Sequence, residues 1–256
     1  MSGWDGVGAA YAASYDALCA GTTEAIAEAL GAPEERRSLD VGSGTGTLAA
    51  ALAERGWAVT GCEPEKTMRD VAAARHPMIA FVAGALPELP FADSSFDAVT
   101  ANFVLNHVPD PRAAAAELRR VARADAALIA TIWTLSPSWF WATVSDRAGL
   151  PPMAGARLPA EKDFERSAGG FSRMLADGGW HGVEATELSW VWKVSPEALW
   201  LSAEGGVASA GALYLSLDPH DRAAFRRAFD VLCDESAVEG EVPLEHTAAL
   251  AGGRAG

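Results

Sequence analysis

The stretch LDVGSGTGTLAAALAERGWAVTGCEP, residues 39–64, decides the fold. Gly42, Gly44 and Gly46 stand between a short apolar run and an alanine-rich segment that Gly56 ends. This order predicts a strand, a glycine loop, a helix and a second strand. Loops at the carboxyl edge of a doubly wound sheet are where such folds bind ligands, and bare backbone lets a ligand approach the helix N-terminus closely.

The remaining chain continues the alternation of strands and helices. Apolar runs RSLDV, WAVTGC, MIAFV, FDAVTANF and AALIATIW are separated by helical stretches, including DPRAAAAELRRVA, which Asp110 and Pro111 open. Helices are also predicted at 22–30, 168–176 and 220–233. The segments VEATELSWVWKV and LEHTAALAG predict two later strands, and GGRAG a frayed end. The alternation predicts an α/β fold, with a parallel sheet covered by helices on both faces.

Composition excludes several classes of protein. The 256 residues include 34 acidic and 20 basic side chains, a net charge of −14, and no basic run, so a nucleic-acid partner is not expected. The three cysteines are odd in number and form no CxxC pair, which argues against a disulfide framework and a zinc site. No metal is predicted.

The chain is expected to be cytoplasmic and not to enter a membrane. Its start, MSGWDGVGAAYAASYDAL, lacks the basic and apolar regions of a secretory signal. Residues 126–145 carry no charge, but Ser and Thr residues and Pro137 interrupt them. This segment therefore predicts a buried strand, a loop and the start of a helix rather than a membrane span.

The glycine loop alone does not identify a ligand, since a tight strand-to-helix turn can require glycine for its geometry. Glu63 ends the second strand, 21 residues after Gly42. A carboxylate at this place can accept hydrogen bonds from both ribose hydroxyls of a nucleoside. Alone, Glu63 could equally be a solvated charge, but together with the loop it favours the ribose role.

Several motifs follow one another in an order typical of one family. LDVGSGTG is followed by CEP, then GALPELPFADSSFDAV, ANFVLNHVPDP and TIW. Over residues 11–133 the chain resembles the class I S-adenosylmethionine-dependent methyltransferases, in particular the small-molecule branch similar to ubiquinone and menaquinone biosynthesis methyltransferases. The resemblance implies a doubly wound, mostly parallel seven-stranded Rossmann-like sheet with an inserted helical lid. It also implies S-adenosylmethionine as cofactor, S-adenosylhomocysteine as product and a small-molecule substrate.

The resemblance also implies which residues hold the cofactor. They are Tyr15, Asp40, Gly42, Gly44, Gly46, Glu63, Pro64, Met68, Ala85, Leu86, Asn102 and Phe103. Met68 and Leu86 would flank the adenine. Ala85 departs from the family, which commonly has an aspartate there that bonds the adenine amino group. Stacking and the Leu86 N–H, or Glu88, would then hold the base.

Two other functions remain open. A nicotinamide-dependent oxidoreductase would prefer a third glycine at position 47, where this chain has Thr47. A methyltransferase-like protein that binds the cofactor or another ligand without methylating is the second alternative.

Catalytic and substrate residues are expected outside the cofactor motifs. His107 follows the fourth strand and could act as a general base, or it could simply pack or cap the loop. An aromatic wall for a planar or apolar substrate is predicted from Tyr11, Trp133, Trp139 and Trp141, although these tryptophans could instead form the core of the lid. The other histidines, at positions 76, 181, 220 and 246, are predicted to be surface or packing residues.

The predicted organisation is a single methyltransferase domain over residues 1–256. Residues 1–32 form an N-terminal helical region and 33–135 the cofactor-binding half. Residues 136–171 and about 200–216 are predicted to cap the substrate. The sequence predicts neither the atom that is methylated nor the oligomeric state.

Overall fold

The computed structural model describes residues 4–33, 36–136, 138–151 and 158–256. The helices are α1 (Gly8–Ala13), α2 (Tyr15–Cys19), α3 (Thr23–Leu30), α4 (Thr47–Glu54), α5 (Lys66–Arg75), α6 (Pro111–Val121), α7 (Ser138–Arg147), α8 (Ala168–Asp177), α9 (Pro196–Glu204), α10 (Ala208–Ser216) and α11 (Pro219–Ser236). The strands are β1 (Arg37–Val41), β2 (Ala58–Cys62), β3 (Ala80–Val82), β4 (Phe96–Asn102), β5 (Ala122–Leu135), β6 (Trp180–Val194) and β7 (Val242–Ala255). A 3₁₀ turn, Ala20–Thr22, joins α2 to α3.

The strands form one seven-stranded sheet in the order β3-β2-β1-β4-β5-β7-β6. The first five strands pair in parallel, and β7 is antiparallel to both β5 and β6. The predicted mostly parallel, doubly wound sheet is therefore confirmed. Strand order reverses beside β1. The connections after β1 and β4 therefore run to opposite faces of the sheet and leave a crevice at the carboxyl ends of these two strands.

Helices cover both faces of the sheet, because alternate side chains of the central strands are apolar in both directions. On one face, Leu39, Val99 and Leu128 belong to a core that also holds Leu118 of α6 and Phe171 of α8. On the opposite face, alternate residues such as Ala98 and Ile129 pack with Ile26 of α3 and Leu52 of α4. These two buried layers hold the helices in place on either side of the sheet.

A third core forms a cap over the carboxyl edge of the sheet. Trp141 of α7 stacks on Phe225 and Phe229 of α11, with ring centroids 5.8 and 5.4 Å apart. Helices α9 and α10 and the N-terminal helices join the same cluster. Residues 200–216, predicted to cap the substrate, fall in α9 and α10 of this cluster, and their role toward a substrate stays a prediction.

The predicted lid at 136–171 needs correction. Helix α7 belongs to the cap, but α8 begins at Ala168 and packs its Phe171 into the core shared with α6, on a face of the sheet. Position 137 and residues 152–157, which the prediction included, lie outside the described residues.

Helix boundaries follow the capping signals in the sequence. The Asp110 carboxylate accepts a hydrogen bond from the Ala113 N–H at 3.1 Å, and Pro111 is the first residue of α6. In the part of the chain that the structure describes, no helix has the length and apolarity needed to cross a membrane.

The expectation of a frayed C-terminal end is wrong. Residues 252–255 continue β7, where Gly252 pairs with Ile129 and Arg254 with Ala127 of β5. On the other side, Ala255 pairs with Trp180 of β6 and is buried. Ladder pairing on both sides and the burial of Ala255 hold this end of β7 in register.

Removal of residues 252–256 should therefore destabilise the protein. The deletion removes ladder hydrogen bonds to β5 and β6, each worth about 0.5 to 1.5 kcal/mol, so we expect a loss of about 2 to 4 kcal/mol in the free energy of unfolding. Urea unfolding followed by circular dichroism measures the loss. A control that lacks only Gly256 should unfold like the full chain, and equal stability of both truncations would contradict the prediction.

Candidate functional site

The glycine loop lies between β1 and α4 at the carboxyl edge of the sheet. Gly42 and Gly44 have φ angles of 66° and 54°, in the left-handed region that disfavours other residues. A Cβ on Gly42 would also lie 2.4 Å from Cγ2 of Val104, so this position requires glycine for space as well. At Gly44 a Cβ would meet Tyr11 and Met68 only at 3.7 and 3.9 Å. Gly44 is therefore the point where the loop leaves its backbone open beneath Tyr11.

Glu63, at the end of β2, holds this loop in place. Its Oε2 accepts a hydrogen bond from the Gly44 N–H at 3.0 Å, and Oε1 accepts one from the Glu65 N–H at 2.9 Å. The side chain is 7% exposed, and burial raises its pKa although both hydrogen bonds act in the opposite direction. Glu63 is thus a buried carboxylate with one oxygen bonded to the glycine loop and the other to the chain that follows β2.

Asp40, at the end of β1, is a second buried carboxylate. Its Oδ1 accepts a hydrogen bond from the Thr100 hydroxyl at 2.9 Å, whereas Oδ2 has no hydrogen-bond partner among the described residues. Burial raises the pKa of Asp40 to about 7, against the effect of the Thr100 hydrogen bond. Near neutral pH this group is poised between its charged and neutral forms.

A small cavity lies between the glycine loop and the N-terminal helices. Asp40, Ser43 and Thr45 line it, and Ser43 Oγ and Thr45 Oγ1, like Asp40 Oδ2, find no hydrogen-bond partner within the described chain. Its other lining residues are Tyr11, Asp16, Cys19, Ala20, Thr23, Gly42, Gly44, Thr47, Leu48 and Asn102. The cavity encloses about 30 Å³, room for about one water molecule, so a larger ligand requires its roof to move.

Helices α1 and α2 form the roof of this cavity, and polar contacts tie it to the neighbouring elements. Asp16 of α2 accepts a hydrogen bond from the Thr47 hydroxyl at 2.7 Å and pairs with Arg75 at 2.8 Å. The N–H groups of Gly6 and Gly8 donate to Glu65 and Thr67 of the β2–α5 region. The sequence contained no motif for Asp16 or Cys19, whose place in the site depends on how the N-terminal helices fold back.

The opposite wall is formed by the residues that follow β4. The Asn102 amide is used within the protein, since its oxygen accepts hydrogen bonds from Thr22 and Thr131 and its Nδ2 donates to the Cys19 carbonyl. Phe103 has a φ of 58°, and its N–H donates to the Thr131 hydroxyl at 2.9 Å. This turn places the Phe103 ring on Trp133, with centroids 3.7 Å apart and an interplanar angle of 6°.

The structure brings only some of the predicted residues to the cavity. Tyr11 covers Gly44, whereas Tyr15 is 7% exposed and its hydroxyl accepts a hydrogen bond from Trp141 Nε1 in the cap core. Trp141 is 1% exposed and Trp139 is 42% exposed on α7, so neither faces the cavity. Tyr15 and Trp141 therefore stabilise the cap instead of lining the site.

The residues predicted around an adenine lie at the edge of the glycine loop. Met68 of α5 is buried, with its sulfur close to Gly44, and Leu86 is half-buried. Ala85 is exposed and its carbonyl accepts a hydrogen bond from the Glu88 N–H at 3.0 Å. Pro64 is exposed, and its carbonyl accepts a hydrogen bond from Arg69. The structure thus offers a sulfur and an aliphatic side chain beside the loop, and no carboxylate at position 85.

His107 lies in the loop after β4, at the surface. The ring meets Trp4 edge-on, with centroids 5.3 Å apart, and the backbone N–H of His107 donates to the Val104 carbonyl. Partial desolvation of the ring lowers its pKa below the usual value, which favours the neutral imidazole. The adjacent Asn106 accepts a hydrogen bond from the Trp133 N–H at 3.1 Å, which ties this loop to the end of β5.

Other polar clusters lie away from this site. Asp218, His220 and Asp221 could hold a metal ion by their spacing, but they form the largely exposed start of α11, where Asp218 caps the helix. A larger surface cleft beside α6 and α8 is lined by Arg112 and Asp177, which pair with each other. Neither cluster adds a group to the glycine-loop cavity.

Comparison with known proteins agrees with the geometry. The family described as "Methyltransferase domain" matches residues 39–130. A demethylmenaquinone methyltransferase of Beutenbergia cavernae is 35% identical over 205 residues, which cover 73% of this chain and 84% of that protein. One of Renibacterium salmoninarum is 31% identical over 202 residues, with 73% and 85% coverage.

Among solved structures, the YcgJ protein of Bacillus subtilis has the same fold. Its TM-score is 0.56 at 19% identity, and the alignment covers 91% of this chain and 97% of that one. The fold therefore extends through the cap and the antiparallel strands, beyond the region where motifs are recognisable in the sequence.

Replacement of Asp40 by Asn tests whether its carboxylate is strained by burial. The folded pKa of about 7 exceeds the unfolded value of about 3.9, so the folded state holds the extra proton and stability falls as pH rises from 4 to 7. Asp40→Asn removes this loss. We expect its melting temperature to exceed that of the wild type by at least about 3 °C at pH 8 and by less at pH 5.

Asp70→Asn is the matched control, because Asp70 forms only an exposed pair with Lys66. Thermal unfolding of the three proteins at both pH values gives the comparison. A difference between Asp40→Asn and wild type that is the same at pH 5 and pH 8 would show that Asp40 is not titrating in the folded protein.

Proposed function

Because this chain belongs to the class I S-adenosylmethionine-dependent methyltransferases and transfers methyl groups to a small molecule, we propose that its acceptor is a planar, largely apolar ring system. The observation that carries this proposal is the stacked pair of Phe103 and Trp133, which directly follows the cavity residue Asn102. Aromatic walls of this kind suit flat apolar ligands. The name of the two relatives, demethylmenaquinone methyltransferase, supports demethylmenaquinone in its reduced form as the first acceptor to test.

The residues around the glycine loop fit the methyl donor. S-adenosylmethionine supplies, when bound, a sulfonium methyl that leaves without its bonding electrons and a cationic amino group. Asp40 and Glu63 give this part of the protein a negative character that suits a cation, and the unpartnered oxygens of Ser43 and Thr45 can hydrogen-bond to a polar ligand. The fit to the methyl donor rests on these carboxylates and hydroxyls together and not on any single motif.

Each group of the chain then has a role in the proposal. Glu63 binds the ribose hydroxyls, and Gly44 lets the donor approach the start of α4. Asp40 orients the polar end of the donor beside Gly42. Met68 and Leu86 pack against the adenine in place of a charged partner at Ala85. The Tyr11 roof excludes water once the substrates are bound, which matters because methyl transfer depends on close positioning and a dry site.

The domain organisation follows the same division. We propose that residues 33–135 hold the donor, that the N-terminal helices close over it, and that α7, α9 and α10 with β6 and β7 shape the acceptor side. Binding and turnover measurements distinguish this proposal from a protein that binds the cofactor without methylating and from a nicotinamide-dependent enzyme.

Binding of S-adenosylhomocysteine is the first test. We expect calorimetry to detect it and to detect no binding of NADH. Glu63→Gln should weaken binding of S-adenosylhomocysteine by about 1 to 3 kcal/mol, because an amide NH₂ replaces one of the two oxygens that face the Gly44 and Glu65 N–H groups. Glu54→Gln, an exposed change on α4, is the control.

An unchanged dissociation constant in a folded Glu63→Gln protein would remove Glu63 from the donor site. Tight NADH binding without binding of S-adenosylhomocysteine would contradict the methyltransferase assignment itself.

His107 is proposed as the group that accepts the acceptor's proton. If it is, His107→Ala and His107→Gln should both lower turnover of the reduced quinone by about 10² to 10⁴, with donor affinity unchanged. Because its pKa lies below 6.5, the acid limb of the wild-type rate profile should also lie below pH 6.5. Recovery of activity in His107→Gln would show that His107 positions the loop and takes no proton.

A further inference from the structure

Beyond the cavity, the aromatic side chains continue into a cluster to which the sequence motifs contribute Phe103 and Trp133 but not His246. This aromatic cluster consists of Phe103, Trp133, Trp190, Trp192 and His246. The His246 ring centroid lies 5.8 Å from that of Trp133, 5.7 Å from Trp190 and 6.2 Å from Trp192. His246 of β7 is paired directly with Trp190 of β6, so these two side chains share one face of the sheet.

His246 is buried without a hydrogen bond. Its side chain is 1% exposed, and neither ring nitrogen has a partner in the described part of the protein. The indole Nε1 of Trp190 is likewise buried and unpartnered among those residues. Three ring nitrogens within this apolar cluster therefore have no hydrogen-bond partner among the described residues.

Folding alone gives no reason for an imidazole at this position. A buried polar group that lacks a partner destabilises the folded protein, whereas an apolar ring of similar shape would fill the same space at no such cost. Burial lowers the pKa of His246 to about 4. The ring is therefore neutral at pH 7, with one N–H donor and one acceptor nitrogen.

The cluster is continuous with the proposed acceptor side of the site. Asn102 lines the cavity, Phe103 is the next residue, and its ring stacks on Trp133, which in turn contacts His246. An acceptor ring that replaces or extends this stack would bring its substituents to the ring nitrogens.

The turn Ala20–Thr22 covers the cluster. A Cβ on Gly21 would lie 2.4 Å from Trp190 Nε1, so only glycine lets the turn approach this closely. The same N-terminal segment roofs the cavity over the glycine loop. One segment therefore covers both places.

We propose that His246, with Trp190 Nε1, is the recognition site for an oxygen substituent of the acceptor ring, which the surrounding tryptophans hold flat. This inference rests on the proposed function and assigns it a specificity residue. The imidazole N–H donates to a carbonyl or hydroxyl oxygen, or the free nitrogen accepts from a hydroxyl. Its low basicity suits hydrogen bonding and makes it a poor proton acceptor, a role left to His107.

A matched pair of probes, 1-naphthol and naphthalene, isolates the contribution of the oxygen. Equilibrium dialysis in saturating S-adenosylhomocysteine measures the binding of each probe to wild type, His246→Phe and His246→Gln. We expect His246→Phe to weaken 1-naphthol binding by at least about tenfold and to change naphthalene binding by less than about threefold, since only the hydroxyl loses a partner. His246→Gln, which keeps a donor and an acceptor, should recover part of the lost affinity.

Thermal unfolding supplies a readout that a structural role would move in the opposite direction. The melting temperature of His246→Phe should equal or exceed that of the wild type, because the substitution removes unpartnered nitrogens. A fall in melting temperature together with equal losses for both probes would show that His246 only packs, and would overturn the proposal.

The design separates this proposal from the function on which it rests. Wild-type protein that binds S-adenosylhomocysteine and both probes, with 1-naphthol affinity unchanged in His246→Phe and His246→Gln, overturns the role of His246 alone. Wild-type protein that binds S-adenosylhomocysteine but neither probe contradicts the proposed class of acceptor. Failure to bind S-adenosylhomocysteine contradicts the methyltransferase function.

Discussion

The hydrogen bond from the Gly44 N–H to the Glu63 carboxylate is the constraint on which the site depends. It ties the loop after β1 to the end of the neighbouring strand β2, together with the Gly42 and Ser43 N–H groups that donate to the Cys62 carbonyl. With the loop fixed, the start of α4 and the Thr47 hydroxyl have a defined position. Thr47 then anchors Asp16, and through it the helices that roof the cavity.

The sequence predicts the parts of the site that depend on local rules. Glycines with positive φ and a carboxylate at the end of the next strand are visible as spacing, and their places in the structure agree with the prediction. Spacing in the sequence does not show whether Tyr11 or Tyr15 lies over the loop. Ser14 breaks the N-terminal helix with φ −133° and ψ −89°, which directs Tyr11 to the loop and Tyr15 into the cap.

Contacts between distant segments account for the other misses. His246 stands alone in an alternating strand, and its neighbours Trp133 and Trp190 come from two other strands. Nothing local marks it as buried. The glycines near the end of the chain look like a loose tail, because the strands that pair with them on both sides are more than fifty residues away in the sequence.

The same buried polar groups lower the stability of the ligand-free protein and favour the binding of a ligand. Asp40, Ser43 and Thr45 on one side of the N-terminal segment, and Trp190 and His246 on the other, keep buried polar atoms that lack hydrogen-bond partners among the described residues. Such atoms weaken the closed protein and strengthen its complex with a ligand that bonds to them. The free energy released when ligands satisfy these atoms can hold the roof closed during transfer.

The position of β7 between β5 and β6 imposes an order on folding. Strands β1 to β5 are complete by residue 135, so the parallel part of the sheet can assemble during synthesis while β5 is still an open edge. Strand β6 cannot join the sheet until residues 242–255 have been made and inserted beside β5. His246 arrives with that strand and Trp190 docks against it. The proposed acceptor side is therefore the last part of the chain to take shape, and an interrupted chain would carry the glycine loop and its five parallel strands with nothing opposite them.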